Sequence, residues 1–300
     1  MSSPQAAPRR GSLLLAFLLV YVIWGSTYLA IHYALDTLPP FLMAGLRFML
    51  AGSLMYGWLR LRGVPHPPWA QWWRLALIGV FLFLGGNGFV VWGQQYISSG
   101  LAALLVATLP LWLIPLDWLW AGGPRPGALA LCGIACGCLG TVILVDPVSL
   151  GGAAVYLPGA GMVLLASLLW AIGSIYAKKI DKPRSIFMSV ACQMLGGGLS
   201  LCVLAAALGE FSQLQVTQIS LPSLAGFFYL VICGSIVASS AYMWLLQNAS
   251  AASVSTYAFV NPAIAVFLGW LFADETLDAR ILSGAGIILA GVVLVLRARR

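Results

Sequence analysis

Tyr21, Trp24 and Tyr28 follow one another at spacings of three and four, and so do Ser167, Trp170 and Ser174. Such spacings put each set on one face of a helix. The groups on offer are indoles, phenols and hydroxyls, which stack on and hydrogen-bond a solute without reacting with it. Two readings of these faces stay open: the lining of a central cavity, or helix packing with an aromatic belt at a membrane interface. A belt fits poorly, because Trp24 and Trp170 lie in the interiors of their apolar runs.

Further polar groups sit where apolar sequence surrounds them. Gly85-Gly86-Asn87-Gly88 weakens a helix with three glycines and buries a carboxamide that needs a partner. The glycines suit close packing; Asn87 suits a polar cavity. Gly88, Trp92 and Gln95 share a face, as do Ser240, Trp244 and Gln247. Pro110 and Pro262 fall mid-run, where proline removes a donor, kinks the helix and frees carbonyls. With Gly86, they are the candidate kink or gating positions. Asn261 and Tyr257 stand beside the second proline. Ser239, Ser240 and Tyr242 add hydroxyls, although serine commonly bonds its own helix. The expected substrate-binding set is Trp24, Tyr28, Asn87, Trp170, Ser174, Ser240, Tyr242, Tyr257 and Asn261.

Reaction chemistry is poorly supplied. No histidine or carboxylate lies mid-run, which disfavours an intramembrane enzyme and a proton relay. Cys132 and Cys136 share a helix face, but no histidine or acid stands near them, and the six cysteines read as small apolar residues. Neither metal, disulfide nor cofactor is expected, and nothing resembles a nucleotide-binding loop.

The positioning elements follow from composition. Of 300 residues 61% are hydrophobic and 8% charged, against about a quarter charged in soluble domains. The apolar residues form runs of roughly 20, enough for a helix to cross a bilayer. The first run follows Arg9-Arg10 and continues past the length of a cleavable signal. Spans are expected at 12–35, 40–61, 72–96, 99–120, 127–146, 157–178, 184–208, 221–247, 251–272 and 279–297. With the N-terminus inside, every Lys and Arg except Arg47 and Arg280 falls at an inner loop or end, whereas Asp36, Asp146, Glu210, Asp274, Glu275 and Asp278 lie outside. That asymmetry puts both termini in the cytosol of a multi-pass inner-membrane protein and makes lipid, not nucleic acid, the partner of the net charge of +7.

The chain also repeats itself. Trp92, Gln95 and Pro110 return 152 residues later as Trp244, Gln247 and Pro262. Trp24 and Phe41 return as Trp170 and Phe187, offset by 146, and Leu131, Gly133 and Gly140 as Leu282, Gly284 and Gly291, offset by 151. Order and spacing both hold, so the reading is two units, 1–146 and 157–300, joined by a Gly-rich linker at 147–156. Five spans per unit is an odd number, which inverts the second unit. Arg60 and Arg62 accordingly correspond to a loop bearing Glu210. The expected fold is all-α: ten transmembrane helices as two inverted five-helix repeats around a central cavity, the architecture of alternating access.

Trp24-Gly25, Gly45-Leu46-Arg47-Phe48, Trp170-Ala171, Asp274-Glu275-Thr276 and the run Gly284 to Gly291 resemble EamA-type members of the drug/metabolite transporter superfamily, over essentially the whole chain. The resemblance implies a ten-helix exporter of amino acids or related metabolites, with aromatic amino-acid exporters among the similar relatives. The first repeat departs from the pattern, with Gly122-Gly123-Pro124-Arg125 where the second has its acidic turn. Arg47 can either recognise a carboxylate or serve packing. Packing is expected, because matching positions in the family pattern look like packing positions. Asp117 is expected to be wetted or paired with Arg125. The expected activity is facilitative or weakly coupled export through a mostly apolar, neutral, aromatic-lined cavity, with a small-molecule substrate and no obligate protein partner. A proton-coupled exporter of lipophilic compounds is the alternative; a channel or an intramembrane enzyme fits less well.

Overall fold

The computed structural model describes residues 10–123, 125–145, 156–181, 183, 185–249, 254 and 256–297. Arg9, Pro124, Asp146, the linker through 155, Lys182, Arg184, Arg299, Arg300 and the first residues of the expected ninth span lie outside the described residues, as does the Gln247 side chain.

Every element described is helical. Those needed below are α1 (Arg10–Leu35), α2 (Pro40–Leu61), α3 (Trp69–Gly79, Val80–Gly88 and Phe89–Gly93), α4 (Ser99–Val106 and Leu109–Ala121), α5 (Ala128–Val145) and α6 (Leu157–Lys179). They continue with α7 (Ile186–Ala207), α8 (Leu221–Tyr229, Leu230–Val237 and Ala238–Asn248), α9 (Tyr257–Phe272) and α10 (Ala279–Arg297). Among the described residues α1, α2, α3, α4, α6, α7 and α8 are long and apolar enough to cross a membrane; α5, α9 and α10 have shorter apolar stretches.

Local sequence sets the ends. Ser98, Ser185 and Ser220 each accept at Oγ from a backbone N–H three residues on, the N-cap arrangement that satisfies a donor with no intrahelical partner. Gly122, at φ 71°, closes α4 in the left-handed conformation that glycine adopts without strain. Two carboxylates reach across the bundle to hold helix starts. Glu210 accepts from Leu42 N (2.7 Å) and Phe41 N (3.4 Å) at the head of α2. Glu275 accepts from Ser99 N (2.6 Å) and Gly100 N (3.0 Å) at the head of α4. The acidic turn thus has a structural use, favoured by the positive end of the helix dipole.

Small residues let the helices close on one another, as expected where lipid offers no hydrophobic drive. A Cβ on Gly140 would lie 2.8 Å from Ile288 N and 2.9 Å from Gly284 O, and one on Gly291 would lie 2.7 Å from Gly137 N and 2.6 Å from Gly133 O. Positions rising along α5 meet positions falling along α10, so the pair is antiparallel. α2 and α7 are antiparallel as well: Gly52 faces Leu195, Gly198 faces Met49 and Gly45 faces Cys202.

α1 runs parallel to α9, with Tyr21 on Thr256 (2.5 Å) and Tyr33 donating to the Phe272 carbonyl. α4 runs parallel to α6, with Ser167 donating to Leu105 O (3.5 Å) and Lys178 Nζ 2.9 Å from Asp117 Oδ1. Asp117 therefore pairs with Lys178, while Arg125 stands 5.9 Å from the Trp118 ring. α1 crosses α8 antiparallel, and α6 crosses α3 likewise.

Gly291→Leu should lower the thermal unfolding temperature in detergent, by overpacking worth about 1–3 kcal/mol. Gly57→Ala, where a Cβ meets nothing within 4 Å, should be neutral or slightly stabilising. Glu275→Ala should cost about 1–3 kcal/mol through two orphaned amides, and Glu275→Gln, which keeps an acceptor, less. Differential scanning fluorimetry of the purified variants ranks the four.

Candidate functional site

The centre of the bundle holds a cavity of about 270 Å³ walled by α1, α2, α3, α4, α6, α7, α8 and α9. Trp24, Tyr28 and Thr27 come from α1, and Trp170 and Ser167 from α6. α3 gives Phe83, Gly86 and Asn87; α2 gives Arg47 and Phe48; α8 gives Gly234, Ser235 and Ser239; α9 gives Tyr257, Asn261 and Pro262. The wall is mainly apolar and aromatic, with a few polar groups converging on it, the usual make-up of a small-molecule site.

The two tryptophans are seated against the two irregular helices. Trp24 Nε1 donates to Gly234 O (3.1 Å). Its ring lies 5.4 Å from Tyr257, edge-on at 72°, and 5.0 Å from Tyr242. Trp170 covers Gly86 so closely that a Cβ there would be 2.6 Å from the indole. Glycine at 86 is what lets the ring enter.

Backbone irregularity concentrates on this wall. Val80–Gly88 and Leu230–Val237 are π-helical, a local form often found at functional sites. Within each, a side chain bonds the carbonyl five residues back: Asn87 Nδ2 to Leu82 O (3.3 Å) and Ser235 Oγ to Leu230 O (3.0 Å). α4 breaks at Ala107–Thr108, and Pro110 starts its second half instead of kinking a continuous helix. Pro262 lies inside α9. The carbonyls that lose an i+4 donor to these prolines belong to Val106 and Ala258, and both residues line the cavity.

Of the residues singled out by sequence, Trp24, Tyr28, Asn87, Trp170, Tyr257, Asn261, Gly86, Pro110 and Pro262 stand on this wall. Ser174, Ser240 and Tyr242 do not. Tyr242 packs behind Trp24 and Tyr257 instead, 5.7 Å from the latter ring. Ser239, offered with Ser240 and Tyr242, is the hydroxyl of this stretch that reaches the wall, and Ser240 lies about 100° further round the same α-helix. Ser167, also named among the candidate hydroxyls, stands on the wall too. Sequence reasoning missed Thr27, Phe48, Phe83, Gly234 and Ser235; counting from the Gly-Asn pair in α3 to the Gly-Ser pair in α8 would have found the last two.

The charge of the site also differs from the neutral cavity expected. Arg47, 4% exposed, is on the wall. Among the described lining residues it is the only charged side chain. Its Nε donates to Ser235 Oγ (2.9 Å), its Cζ stands 4.7 Å from the Phe48 ring centre, and its Nη1 has no hydrogen-bond partner. Asn261 Oδ1, on a side chain 7% exposed, is likewise without a partner.

Residues 11–146 and 157–297 each match the EamA-like transporter family. The inner membrane transporter YedA of Escherichia coli K12 is 39% identical over 93% of this chain and 89% of its own length. Protein PecM of Dickeya dadantii is 28% identical, over 91% and 88%. Protein PagO of Salmonella typhimurium is 28% identical, over 87% and 84%. A solved crystal structure superposes on 97% of this chain and 100% of its own, with a TM-score of 0.65 at 18% identity, a likeness of fold. On the family match and the YedA identity, this chain belongs to the EamA-like transporter family and is a membrane transporter.

Proposed function

We propose that the chain exports amino acids, aromatic or large neutral ones first, or related metabolites, across the inner membrane by alternating access, uncoupled or weakly coupled to an ion. The observation that carries this reading is the central cavity with an indole on each flank. At about 270 Å³ it falls just below the roughly 300–1,000 Å³ of drug-sized sites, a size that suits one amino acid better than a bulky lipophilic compound.

The motion follows from ten membrane-crossing helices arranged as two inverted five-helix units, 1–146 and 157–300, with both termini in the cytosol. The contacts support it because they recur between the units. Gly52 on Leu195 becomes Gly198 on Met49, and Gly140 on Gly284 and Ile288 becomes Gly291 on Gly133 and Gly137. Trp24 on Gly234 becomes Trp170 on Gly86. Helices related by the repeat, α2 with α7 and α5 with α10, run antiparallel, as inversion requires. Two like units in unlike environments can exchange conformations and so open the seam to either side. The inner-membrane location rests on the apolar spans and on the name of the YedA relative.

Purified protein in liposomes preloaded with unlabelled L-phenylalanine should take up labelled L-phenylalanine by counterflow. Flux that persists without internal substrate and far exceeds carrier turnover would point to a channel, and uphill accumulation driven by an imposed pH gradient would overturn the weak-coupling reading. Gly86→Val should abolish counterflow while leaving a folded protein, since the Trp170 ring must leave its seat. Size-exclusion profile and unfolding temperature check the fold beside the flux.

A further inference from the structure

We propose that Arg47 is the anion anchor of the cavity, and that the solute must carry a carboxylate. The inference rests on the carrier reading above and narrows its substrate class.

The case begins with an imbalance of charge. A guanidinium inside a membrane protein is ordinarily paired with an acid or wetted, because an isolated charge there is costly. Arg47 is 4% exposed and on the wall of a cavity to which the described residues bring no acid. Its head is nonetheless held still. Nε is fixed by Ser235 Oγ at 2.9 Å, Ser235 is itself tied to Leu230 O at 3.0 Å, and the Phe48 face supports Cζ at 4.7 Å.

Gly234 makes room for this arrangement: a Cβ there would come to 3.2 Å of Nη2. What remains is the outer end of the fork, with Nη1 unpartnered. A planar fork offering two parallel N–H groups is matched by a carboxylate. The second orphan on the wall, Asn261 Oδ1, is an acceptor, the complement of a solute that carries a donor as well as a carboxylate. An α-amino acid has that pattern, with its side chain left to Trp24, Trp170 and Tyr257. A lipophilic cation is repelled by the same fork, which argues against the rival class of cargo.

A purely structural Arg47, tying α2 to α8 through Ser235, would predict no dependence on the solute's carboxylate. The test therefore varies the solute. L-Phenylalanine, 3-phenylpropanoate, L-phenylalaninamide, 2-phenylethylamine and tetraphenylphosphonium are compared at millimolar concentration, as competitors of labelled L-phenylalanine counterflow and as stabilisers against thermal unfolding in detergent. The two carboxylates should compete and stabilise, and the amide and the two cations should fall short by about 10–100-fold, the loss of a charge-assisted hydrogen bond.

Arg47→Gln should erase the preference for carboxylates and Arg47→Lys should restore part of it. If Arg47→Gln does not fold, the solute series on the unaltered protein decides alone. Equal competition by phenylalanine and its amide, stabilisation by tetraphenylphosphonium as strong as by the acids, or no stabilisation by either acid overturns the anchor. Carboxylate-dependent stabilisation without counterflow keeps the anchor and removes the carrier reading; counterflow without carboxylate preference does the reverse.

Discussion

Hydrocarbon offers a backbone no water, so a chain crossing it must satisfy its own N–H and C=O groups, and departures from the α-helix survive only where protein or a wet cavity covers them. Here most of the departures gather at one place, Pro115 within α4 being an exception. The two π segments, the break at Ala107–Thr108 and Pro262 all border the same cavity. Each leaves carbonyls or amides out of the regular ladder, and the cavity is where such groups can be met by side chains or a solute. Asn87 and Ser235 do the first, bonding the carbonyls five residues behind them.

Around this irregular centre the outer contacts are regular. α5 and α10, like α2 and α7, meet through glycines with backbone nearly touching backbone. Dispersion between closely approached helices is short-ranged, so these pairs act as stiff seams. α1 and α6 cross the irregular helices and carry one tryptophan each. The long-range caps at Glu210 and Glu275 hold the heads of α2 and α4, and the middle of α4 is broken at Ala107–Thr108.

Span positions were legible from sequence because long apolar runs have few alternatives. The expected 40–61, 157–178 and 279–297 correspond to helices at Pro40–Leu61, Leu157–Lys179 and Ala279–Arg297. The aromatic face of α1 was legible for a similar reason: a straight α-helix preserves its period, so Trp24 and Tyr28 reach the cavity together. α8 was not. Of Ser239, Ser240 and Tyr242, offered there as hydroxyls, Ser239 alone reaches the wall, and Gly234 and Ser235, which complete it, lie in the π segment at Leu230–Val237. Asp117 is expected from sequence to be wetted or paired with Arg125; the fold gives it a lysine 61 residues away on α6.

Arg47 shows the same limit from the side of energy. In sequence, an arginine a third of the way into an apolar span can serve packing or recognise a carboxylate, and packing is the expectation. What separates them is whether the head finds water or an acid, and that depends on eight helices at once. Placing a charge mid-helix in a membrane costs about 2.5–3.5 kcal/mol even on permissive scales. The protein offsets part of that cost with one hydroxyl and one aromatic face, two neutral groups that steady the guanidinium without cancelling its charge. A carboxylate placed there would have cancelled it and left the cavity indifferent to anions. Neutral support keeps the positive potential available, in a low-dielectric space where it acts most strongly, on whatever solute enters.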